Sequence, residues 1–509
     1  MSLASFLIFA YLLVLLLLAV YGFHRSQLVY LYFKYRKRIP KPLGRFVEKP
    51  RVTVQLPLFN EMYVVERLLD AVAQIKWPRD RLEIQVLDDS TDETVEIARR
   101  KVQELRARGL DVKYIHRTDR TGFKAGALEN GLKHARGEFV LVFDADFLPG
   151  PDILLRTIDF FTDPRVGMVQ TRWEHVNRNY NLLTETQALM LDGHFVVEHG
   201  ARYRSGRFFN FNGTAGIWRR KAIERAGGWD HDTLTEDMDL SYRAQLKGWR
   251  FVYVPNIAAP AELPVEMNSF KSQQFRWAKG SIQVAKKLLP TILKSDAPFS
   301  VKCEAFFHLT NNFAYPLMML LCVLLLPNLV VRTQHGIREV LLIDLPLFFG
   351  TTLSIASFYI VSQVEIGRSA WSAIKRLPLV MATGIGLCVN QARAVVEGIV
   401  GKESGEFVRT PKHGVMGKFE TWTAKKYRGV RTFVPYVEIA FALYYVGAIY
   451  VAAKYQHYLT LPFLFLFASG FAYVGVTSLI GDKLAGASTK KARPSDVPEL
   501  QPVLGQLRG

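Results

Sequence analysis

Four clusters of acidic or aromatic residues occur in order along one polar stretch of the chain. They are Asp88-Asp89, Asp144-Ala145-Asp146, Thr235-Glu236-Asp237 and Gln273-Gln274-Phe275-Arg276-Trp277. Carboxylates bind hard divalent cations, and a cation held in this way neutralises a departing diphosphate. Asp144 and Asp146 follow the apolar run 139–143, a context that favours a functional site over a solvated loop. We expect this pair to contact a metal ion and the ribose or phosphate of a nucleotide-linked substrate.

Two weaker signals precede that pair. Asp88 and Asp89 follow an apolar run and can hold a nucleoside, although Asp89 and its neighbours also form a good N-cap for the next helix. Lys124 lies near the start of a predicted helix, from which its ammonium group can reach a diphosphate. An ordinary surface lysine is the alternative interpretation. All three residues are therefore candidates whose roles depend on the other clusters.

The third cluster offers a general base. Direct transfer to a hydroxyl group requires a base that removes the hydroxyl proton. Asp237 is the candidate, because it lies near the start of a predicted helix whose dipole favours the ionised carboxylate. Glu236 and Asp239 are the competing carboxylates, and stabilisation of the first helical turn is their alternative role. A single displacement with inversion needs only one such base.

The fourth cluster combines a flat aromatic face with a cation. Trp277 suits the C–H face of a pyranose ring, and Arg276 can counter diphosphate charge. The alternative is a tryptophan of the membrane interface beside an arginine that reaches towards water.

The elements that must position these residues follow from the hydrophobic pattern. Within 46–264, short apolar runs alternate with amphipathic helical stretches, which predicts an α/β domain with a doubly wound sheet. Such sheets bind nucleotides beyond the carboxyl ends of their strands, where the acidic clusters fall. The predicted strands are 52–58, 82–87, 112–116 and 139–143, and the predicted helices are 61–76, 91–106 and 124–135.

Hydrophobic segments flank this domain. An uncleaved transmembrane anchor with a basic juxtamembrane segment is predicted in 1–45, amphipathic interfacial helices in 265–300, and transmembrane helices within 301–482. The five predicted spans are roughly 3–23, 309–331, 340–361, 432–453 and 458–480.

The distribution of Lys and Arg predicts the orientation. Segment 377–400 is predicted to be interfacial or re-entrant, because one more crossing would place the basic loop 401–431 outside. The N-terminus then lies outside, the α/β domain is cytosolic, and the tail 483–509 is cytosolic and disordered. We expect an integral protein of the plasma (inner) membrane.

The formal net charge of +19 does not indicate a nucleic-acid partner. The basic residues cluster beside apolar runs, as in 34–38 and 425–428, where they determine topology and contact anionic lipid. Cys303, Cys322 and Cys388 are isolated and show neither a metal-binding spacing nor a disulfide framework. The sequence leaves the oligomeric state open.

With these residues in view, the chain resembles processive family 2 glycosyltransferases of the cellulose synthase superfamily. The four clusters match that family's D, DxD, TED and QxxRW pattern, and the similarity extends from about Arg51 to His413. Six stretches are more similar to the cellulose synthase-like A and C branches, which make mannan, glucomannan or glucan backbones. They are Gly122–Leu128, Phe143–Phe147, Gln170–Trp173, Phe208–Arg219, Ala226–Trp229 and Thr235–Leu240.

The resemblance implies a GT-A-type nucleotide-sugar-binding domain inserted in a helical transmembrane domain. It also implies a Mg²⁺- or Mn²⁺-dependent inverting reaction with a β-linked product. Asp237 is then the base and Asp146 the metal ligand. The residues expected at the acceptor are Glu236, Gln273 and Trp277. The residues expected at the donor are Asp88, Asp89, Lys124, Asp144, Asp146, Arg276, Thr410 and Lys412.

The segment 407–412 resembles a gating loop written FxVTxK in bacterial cellulose synthases. Phe407, Thr410 and Lys412 match this pattern, whereas Arg409 stands in place of the valine. The loop must face the cytosol to reach the donor, in agreement with the positive-inside assignment.

Three functions from different classes remain open at this point. The first is a membrane enzyme that polymerises hexose from UDP-glucose or GDP-mannose into a β-linked glycan and translocates it. The second is a non-processive transferase that adds one hexose to a lipid acceptor. The third, a transporter or inactive scaffold, is disfavoured by the carboxylate set.

Overall fold

The structure is a computed structural model that describes residues 2–335, 341–401, 409–417, 420–423 and 425–491. Phe407 of the gating-like motif lies outside the described residues, as does the predicted tail beyond Lys491. The last helix continues to Lys491 and thus into the segment 483–509 that the sequence predicts to be disordered.

A seven-stranded sheet forms the centre of the polar region, as the α/β pattern predicts. Its spatial order is β3-β2-β1-β4-β6-β5-β7, and β6 runs antiparallel to both of its neighbours while the other pairs are parallel. The strands are β1 Val52–Leu58, β2 Leu82–Asp88, β3 Val112–His116, β4 Phe139–Val142, β5 Val166–His175, β6 Gly216–Arg219 and β7 Arg250–Ala261.

Helices cover both faces of this sheet. Because alternate strand residues point to opposite faces, Leu141 of β4 joins the core that contains Leu68, whereas Val142 joins the core that contains Leu128. Each face therefore buries its own apolar layer, which is the doubly wound arrangement. The helices of this domain are α2 Val65–Ala73, α3 Thr94–Ala107, α4 Phe123–His134, α5 Ile153–Thr157, α6 Leu182–Asp192, α7 Gly200–Arg204, α8 Arg220–Arg225 and α9 Glu236–Leu246.

Long apolar helices flank the sheet domain in sequence, and the chain is an integral membrane protein with several spans. Among the residues that the structure describes, five helical segments are long and apolar enough to cross a bilayer: Leu3–Lys34, Phe299–Gln334, Pro346–Glu365, Val434–Lys454 and Tyr458–Gly481. The helices are α1 Leu3–Lys34, α10 Met267–Lys294, α11 Phe299–Thr310, α12 Ala314–His335, α13 Leu341–Glu365, α14 Ala370–Gly386, α15 Cys388–Val400, α16 Val434–Lys454 and α17 Leu461–Lys491.

The segment that the sequence singles out as interfacial or re-entrant is a bent helix pair. Helices α14 and α15 meet at an angle of 45° and together pass the same length and hydropathy test, as a broken span or a re-entrant loop. Helix α10, which carries the fourth cluster, is one continuous helix, with Pro290 inside it.

Small residues allow α14 to pack closely against α17. A Cβ atom at Gly386 would collide with the carbonyl oxygen of Gly470, whereas a Cβ atom at Gly384 would meet nothing within 4 Å. Gly386→Ala is therefore expected to destabilise the helical part by about 1–3 kcal/mol through overpacking. Thermal unfolding in detergent should show a lower Tm for Gly386→Ala and an unchanged or higher Tm for the matched control Gly384→Ala. Equal melting temperatures would contradict the close packing.

Candidate functional site

One cavity of about 190 Å³ opens at the carboxyl ends of β1 and β4, beside the start of α9 and below α10. It brings together eleven of the residues predicted from the sequence, whereas Asp88 and the competing carboxylate Asp239 are not among its lining residues. The candidates that line it are Asp89, Lys124, Asp144, Asp146, Glu236, Asp237, Gln273, Arg276, Trp277, Thr410 and Lys412.

The two neighbouring aspartates after β2 differ in their surroundings. Asp88 is fully buried, and its carboxylate accepts hydrogen bonds from the Tyr114 hydroxyl at 2.6 Å and from the Ser90 backbone N–H at 2.9 Å. Asp89 lines the cavity and forms two hydrogen bonds to Arg117, at 2.8 and 2.5 Å. Asp88 therefore shapes the turn, and Asp89 keeps a fixed carboxylate at the cavity.

The N-cap alternative for these aspartates does not match the structure. Helix α3 begins at Thr94, whose backbone N–H donates to the Asp92 carboxylate at 3.0 Å. Glu93 occupies the N-cap position without a side-chain cap hydrogen bond, so Asp89 does not cap this helix and instead lines the cavity.

Lys124 is the second residue of α4, whose N-cap Gly122 has a left-handed backbone with φ of 74°. Its ammonium group is 2.6 Å from the Asp144 carboxylate, 2.9 Å from the Gly213 carbonyl oxygen and 3.8 Å from the Glu236 carboxylate. Burial opposes the charge of this lysine, but Asp144 and Glu236 outweigh burial and raise its pKa. It is a partly buried cation of the cavity and not an ordinary surface lysine.

Asp146 is paired with the loop that follows α15. The Lys412 ammonium group lies 2.6 Å from the Asp146 carboxylate and 2.8 Å from the Glu262 carbonyl oxygen. Thr410 accepts a hydrogen bond of 3.4 Å from Arg276. The described part of the gating-like loop therefore closes over the cavity through the two residues that match the motif.

Arg409, which departs from that motif, also has partners. Its guanidinium group lies 3.2 Å from the Glu61 carboxylate and 3.8 Å from the centre of the Tyr427 ring. The contact with Glu61 holds the loop near the end of β1, and the contact with Tyr427 joins two parts of the segment between α15 and α16.

Asp237 is at the start of α9, and its carboxylate accepts the Met238 N–H at 2.8 Å. Burial, and after it the negative charge of Glu236, raises the pKa of Asp237 to about 7. The helix dipole favours ionisation, as expected from the sequence, but these two effects outweigh it. A carboxylate with a pKa near neutrality is suited to proton removal.

The competing carboxylates of this cluster have other positions. Asp239 is fully buried and pairs with Arg243 at 2.6 Å and with Lys287 at 3.1 Å, so it stabilises α9 against its neighbours. Glu236 lines the cavity, and burial is the largest cause of its raised pKa.

The fourth cluster presents one face of α10 to the cavity. Gln273, Arg276 and Trp277 are three and four residues apart, the spacing that places side chains on the same side of a helix. The Trp277 ring lies 6.5 Å from the Trp173 ring, which also lines the cavity. Trp277 thus faces the site, whereas the membrane-belt alternative would turn it towards lipid.

Several residues that line the cavity, among them Glu61 and His175, were not predicted as site residues from the sequence. Glu61 follows β1, and burial raises its pKa to about 8. His175 ends β5, is 6 % exposed, and neither ring nitrogen has a hydrogen-bond partner in the described part of the chain. Burial, and then Arg178, lowers the pKa of His175 well below its usual range. Asp88 and Asp144 were selected because they are polar residues at the carboxyl end of a strand. The same rule would have selected His175, the last residue of β5, and, if extended by three residues, Glu61 after β1.

The cavity has the chemistry of a divalent-cation site. Asp144 and Asp146 supply hard oxygen ligands, and each is neutralised by a lysine ammonium group at 2.6 Å. The Lys412 ammonium group therefore gives Asp146 the positive charge that a bound metal ion would otherwise supply. A second acidic cluster, Asp230, Asp232 and Asp239, lies elsewhere and shares Lys287 as its counter-ion.

Comparison with known proteins identifies the class. Residues 50–280 match the family described as Glycosyltransferase like family 2. The chain is 32 % identical to glucomannan 4-beta-mannosyltransferase 7 of Arabidopsis thaliana over 75 % of this chain and 72 % of that protein. The chain belongs to the family 2 glycosyltransferases, in the branch of the plant glucomannan mannosyltransferases.

Higher identities cover shorter regions. The chain is 47 % identical over 249 residues to probable glucomannan 4-beta-mannosyltransferase 6 of Oryza sativa subsp. japonica, which is 48 % of this chain and 43 % of that protein. In such alignments the chain spans about half the length of the curated relatives it matches.

A solved structure supports the fold alone. A mannosyltransferase from Pyrobaculum calidifontis, in complex with GDP-Man and Mn²⁺, aligns with a TM-score of 0.50 and 24 % identity, over 70 % of this chain and 98 % of that one. The sheet domain is therefore of the GT-A type that the sequence predicts.

Proposed function

We propose that this protein is an inverting membrane mannosyltransferase that transfers mannose from GDP-mannose to a growing β-1,4-linked mannan or glucomannan chain. The observation that carries the proposal is the single cavity in which Asp237, Lys124, Asp144, Asp146 and Arg276 converge. The names of the relatives favour mannose over glucose as the transferred sugar. The cavity has the groups for a diphosphate, a cation and a hydroxyl proton.

The donor binds on the side of the cations. Lys124, Arg276 and Lys412 neutralise the diphosphate, and the fixed carboxylate of Asp89 holds the nucleoside. A Mg²⁺ or Mn²⁺ ion held by Asp146, next to Asp144, would act as a Lewis acid on the leaving diphosphate.

The acceptor binds on the side of α10. Trp277 stacks against the acceptor sugar, and Gln273 and Glu236 hydrogen-bond to its hydroxyl groups. Asp237 takes the proton of the attacking hydroxyl while that oxygen bonds to the anomeric carbon. The bond from this carbon to the diphosphate breaks from the opposite face, so an α-linked donor gives a β-linked product.

The membrane part fits this direction of synthesis. The α/β domain is placed in the cytosol, where nucleotide sugars are made, with the N-terminus of α1 outside. We infer that the product leaves through the helices of the 301–482 region and that the protein resides in the plasma (inner) membrane.

A donor test decides between sugars and between acceptors. Purified protein in detergent is incubated in parallel with labelled GDP-mannose and labelled UDP-glucose. A long product from GDP-mannose that a β-mannanase digests supports the proposal. A single labelled lipid product would show the non-processive alternative, and a polymer from UDP-glucose alone would reject the mannosyl donor.

The pH dependence of transfer reports on Asp237. Because the base must be ionised, kcat/KM is expected to fall as the pH drops below about 7, the pKa of this carboxyl. Glu236→Gln removes the negative charge that helps to raise that pKa, so the acidic limb should move to lower pH. Glu224→Gln, on the exposed face of α8, is the control and should leave the limb in place. A limb that is unchanged or moves upward in Glu236→Gln would contradict the assignment.

A further inference from the structure

A second cavity, of about 210 Å³, lies away from the catalytic one and is rich in arginine. It is formed by the turn after β5, by α6, by the end of α13 and by the start of α14. We call it the arginine cavity and define it by its three cationic residues, Arg178, Arg368 and Arg376.

The positive charge of this cavity is only partly neutralised. Arg178 donates to the Asp192 carboxylate at 2.5 Å, and Arg376 lies 2.8 Å from the Glu185 carboxylate. Among the described residues, no carboxylate lies within ion-pair distance of Arg368. Three guanidinium groups therefore line the cavity with one lining carboxylate, Glu185, while Asp192 pairs with Arg178 from outside the lining.

Two further features favour an anion. The Nε atom of Arg178, a residue that is 9 % exposed, is buried and has no hydrogen-bond partner in the described part of the chain. Helix α14 begins at the cavity with Ser369 as its N-cap, whose hydroxyl oxygen accepts the Ser372 N–H at 3.4 Å, so the positive end of the helix is directed there. Arginine forks and helix N-termini both suit the oxygen atoms of a phosphate.

The position of the cavity indicates where that phosphate comes from. Gln363, in its wall, lies in the last turn of the membrane-spanning segment Pro346–Glu365. The cavity is therefore at the end of a span, on the side that faces the α/β domain. Next to it, Trp371 and Ile374 of α14 are 63 % and 40 % exposed, as expected for side chains that enter the bilayer interface.

We propose that the arginine cavity binds the phosphate group of an anionic membrane lipid. The lipid phosphate bridges Arg368 and Arg178 and accepts hydrogen bonds from the first turn of α14. Arg178 lies in the turn between β5 and α6, three residues after His175 of the catalytic cavity, so lipid bound here would also fix one wall of that cavity.

The test compares two single substitutions. Arg368→Gln removes the guanidinium group without a carboxylate partner, and Arg368→Glu reverses its charge. The matched control is Lys375→Gln, which removes a charge from the same helix but outside the cavity. Each protein is passed through phosphatidylcholine nanodiscs that contain a minor fraction of phosphatidylglycerol, and the retained lipid is counted by native mass spectrometry.

We expect about tenfold less retained phosphatidylglycerol for Arg368→Gln and still less for Arg368→Glu. Lys375→Gln should retain as much as the unsubstituted protein. Because Arg368 is exposed and makes no ion pair with any residue that the structure describes, its variants should keep the original Tm. Retention by Arg368→Gln equal to that of the original protein would overturn the proposal, and so would an equal loss in Lys375→Gln.

A calorimetric titration with inorganic phosphate separates the two sources of the anion. Weak binding of phosphate, together with Arg368-dependent retention of phosphatidylglycerol, supports a lipid site. Strong, Arg368-dependent binding of inorganic phosphate with no preference for phosphatidylglycerol over phosphatidylcholine would show a free-phosphate site and overturn the lipid assignment.

Discussion

Asp237→Asn is expected to lower the rate of mannosyl transfer by about 10²–10⁴-fold, the usual contribution of a positioned general base. Asparagine has the same shape and can still accept the Met238 N–H, so α9 should keep its first turn. Lys124 and Arg276, which we propose bind the donor, are other side chains of the cavity and are unchanged by this substitution. Donor affinity, measured by calorimetry with GDP-mannose, should therefore change little.

The control for this substitution is Asp232→Asn, which makes the same chemical change in the cluster around Lys287. It should leave both rate and donor affinity near those of the unsubstituted protein. A parallel loss of rate and donor affinity in Asp237→Asn would assign Asp237 to the metal or the donor instead. Full activity would exclude Asp237 as the base.

Local patterns in the sequence were sufficient to predict strands β1, β2 and β4, which position the first two acidic clusters. The runs 52–58 and 112–116 became strands with those bounds, because each is a short apolar segment between helical stretches. The edge rule for doubly wound sheets then placed Asp144 and Asp146 at the cavity. The carboxyl ends of neighbouring parallel strands lie at the same edge of the sheet. Once a strand is predicted, the position of the residue that follows it is therefore known as well.

The choice between Asp88 and Asp89 needed the three-dimensional structure. Adjacent residues at a strand end point in opposite directions, and only the positions of Tyr114 and Arg117 show which aspartate faces the cavity. Strands β5, β6 and β7 were not predicted either, and the antiparallel β6, Gly216–Arg219, lacks the continuous apolar run that marks the equally short β4. Its neighbours β4 and β5 hold it in place through non-local pairing.

The contact between Lys412 and Asp146 depends on a separation that no local pattern encodes. These residues are 266 positions apart, and their meeting requires that the loop after α15 folds back over the sheet. The resemblance to a gating motif indicated that Thr410 and Lys412 approach the donor. The structure adds Asp146 as the carboxylate with which Lys412 pairs.

Removal of divalent cations is expected to lower mannosyl transfer by about 10³-fold or more, because the cation contributes several kcal/mol to stabilising the leaving diphosphate. Chelation followed by addition of Mn²⁺ or Mg²⁺ should lower and then restore the initial rate. Lys412→Met should raise the affinity for the metal ion, because Asp146 then loses the ammonium group 2.6 Å away that competes with the cation.

Without donor, Lys412→Met is expected to bind Mn²⁺ about tenfold more tightly, and Asp146→Asn at least tenfold more weakly. Both are measured by titration of the Mn²⁺ electron paramagnetic resonance signal, which does not depend on catalysis. Lys425→Met removes a lysine that contacts the His413 carbonyl oxygen and does not line the cavity, so it serves as the control. If chelation leaves transfer unchanged and Mn²⁺ binds equally to Asp146→Asn, then Lys124, Arg276 and Lys412 alone must neutralise the diphosphate.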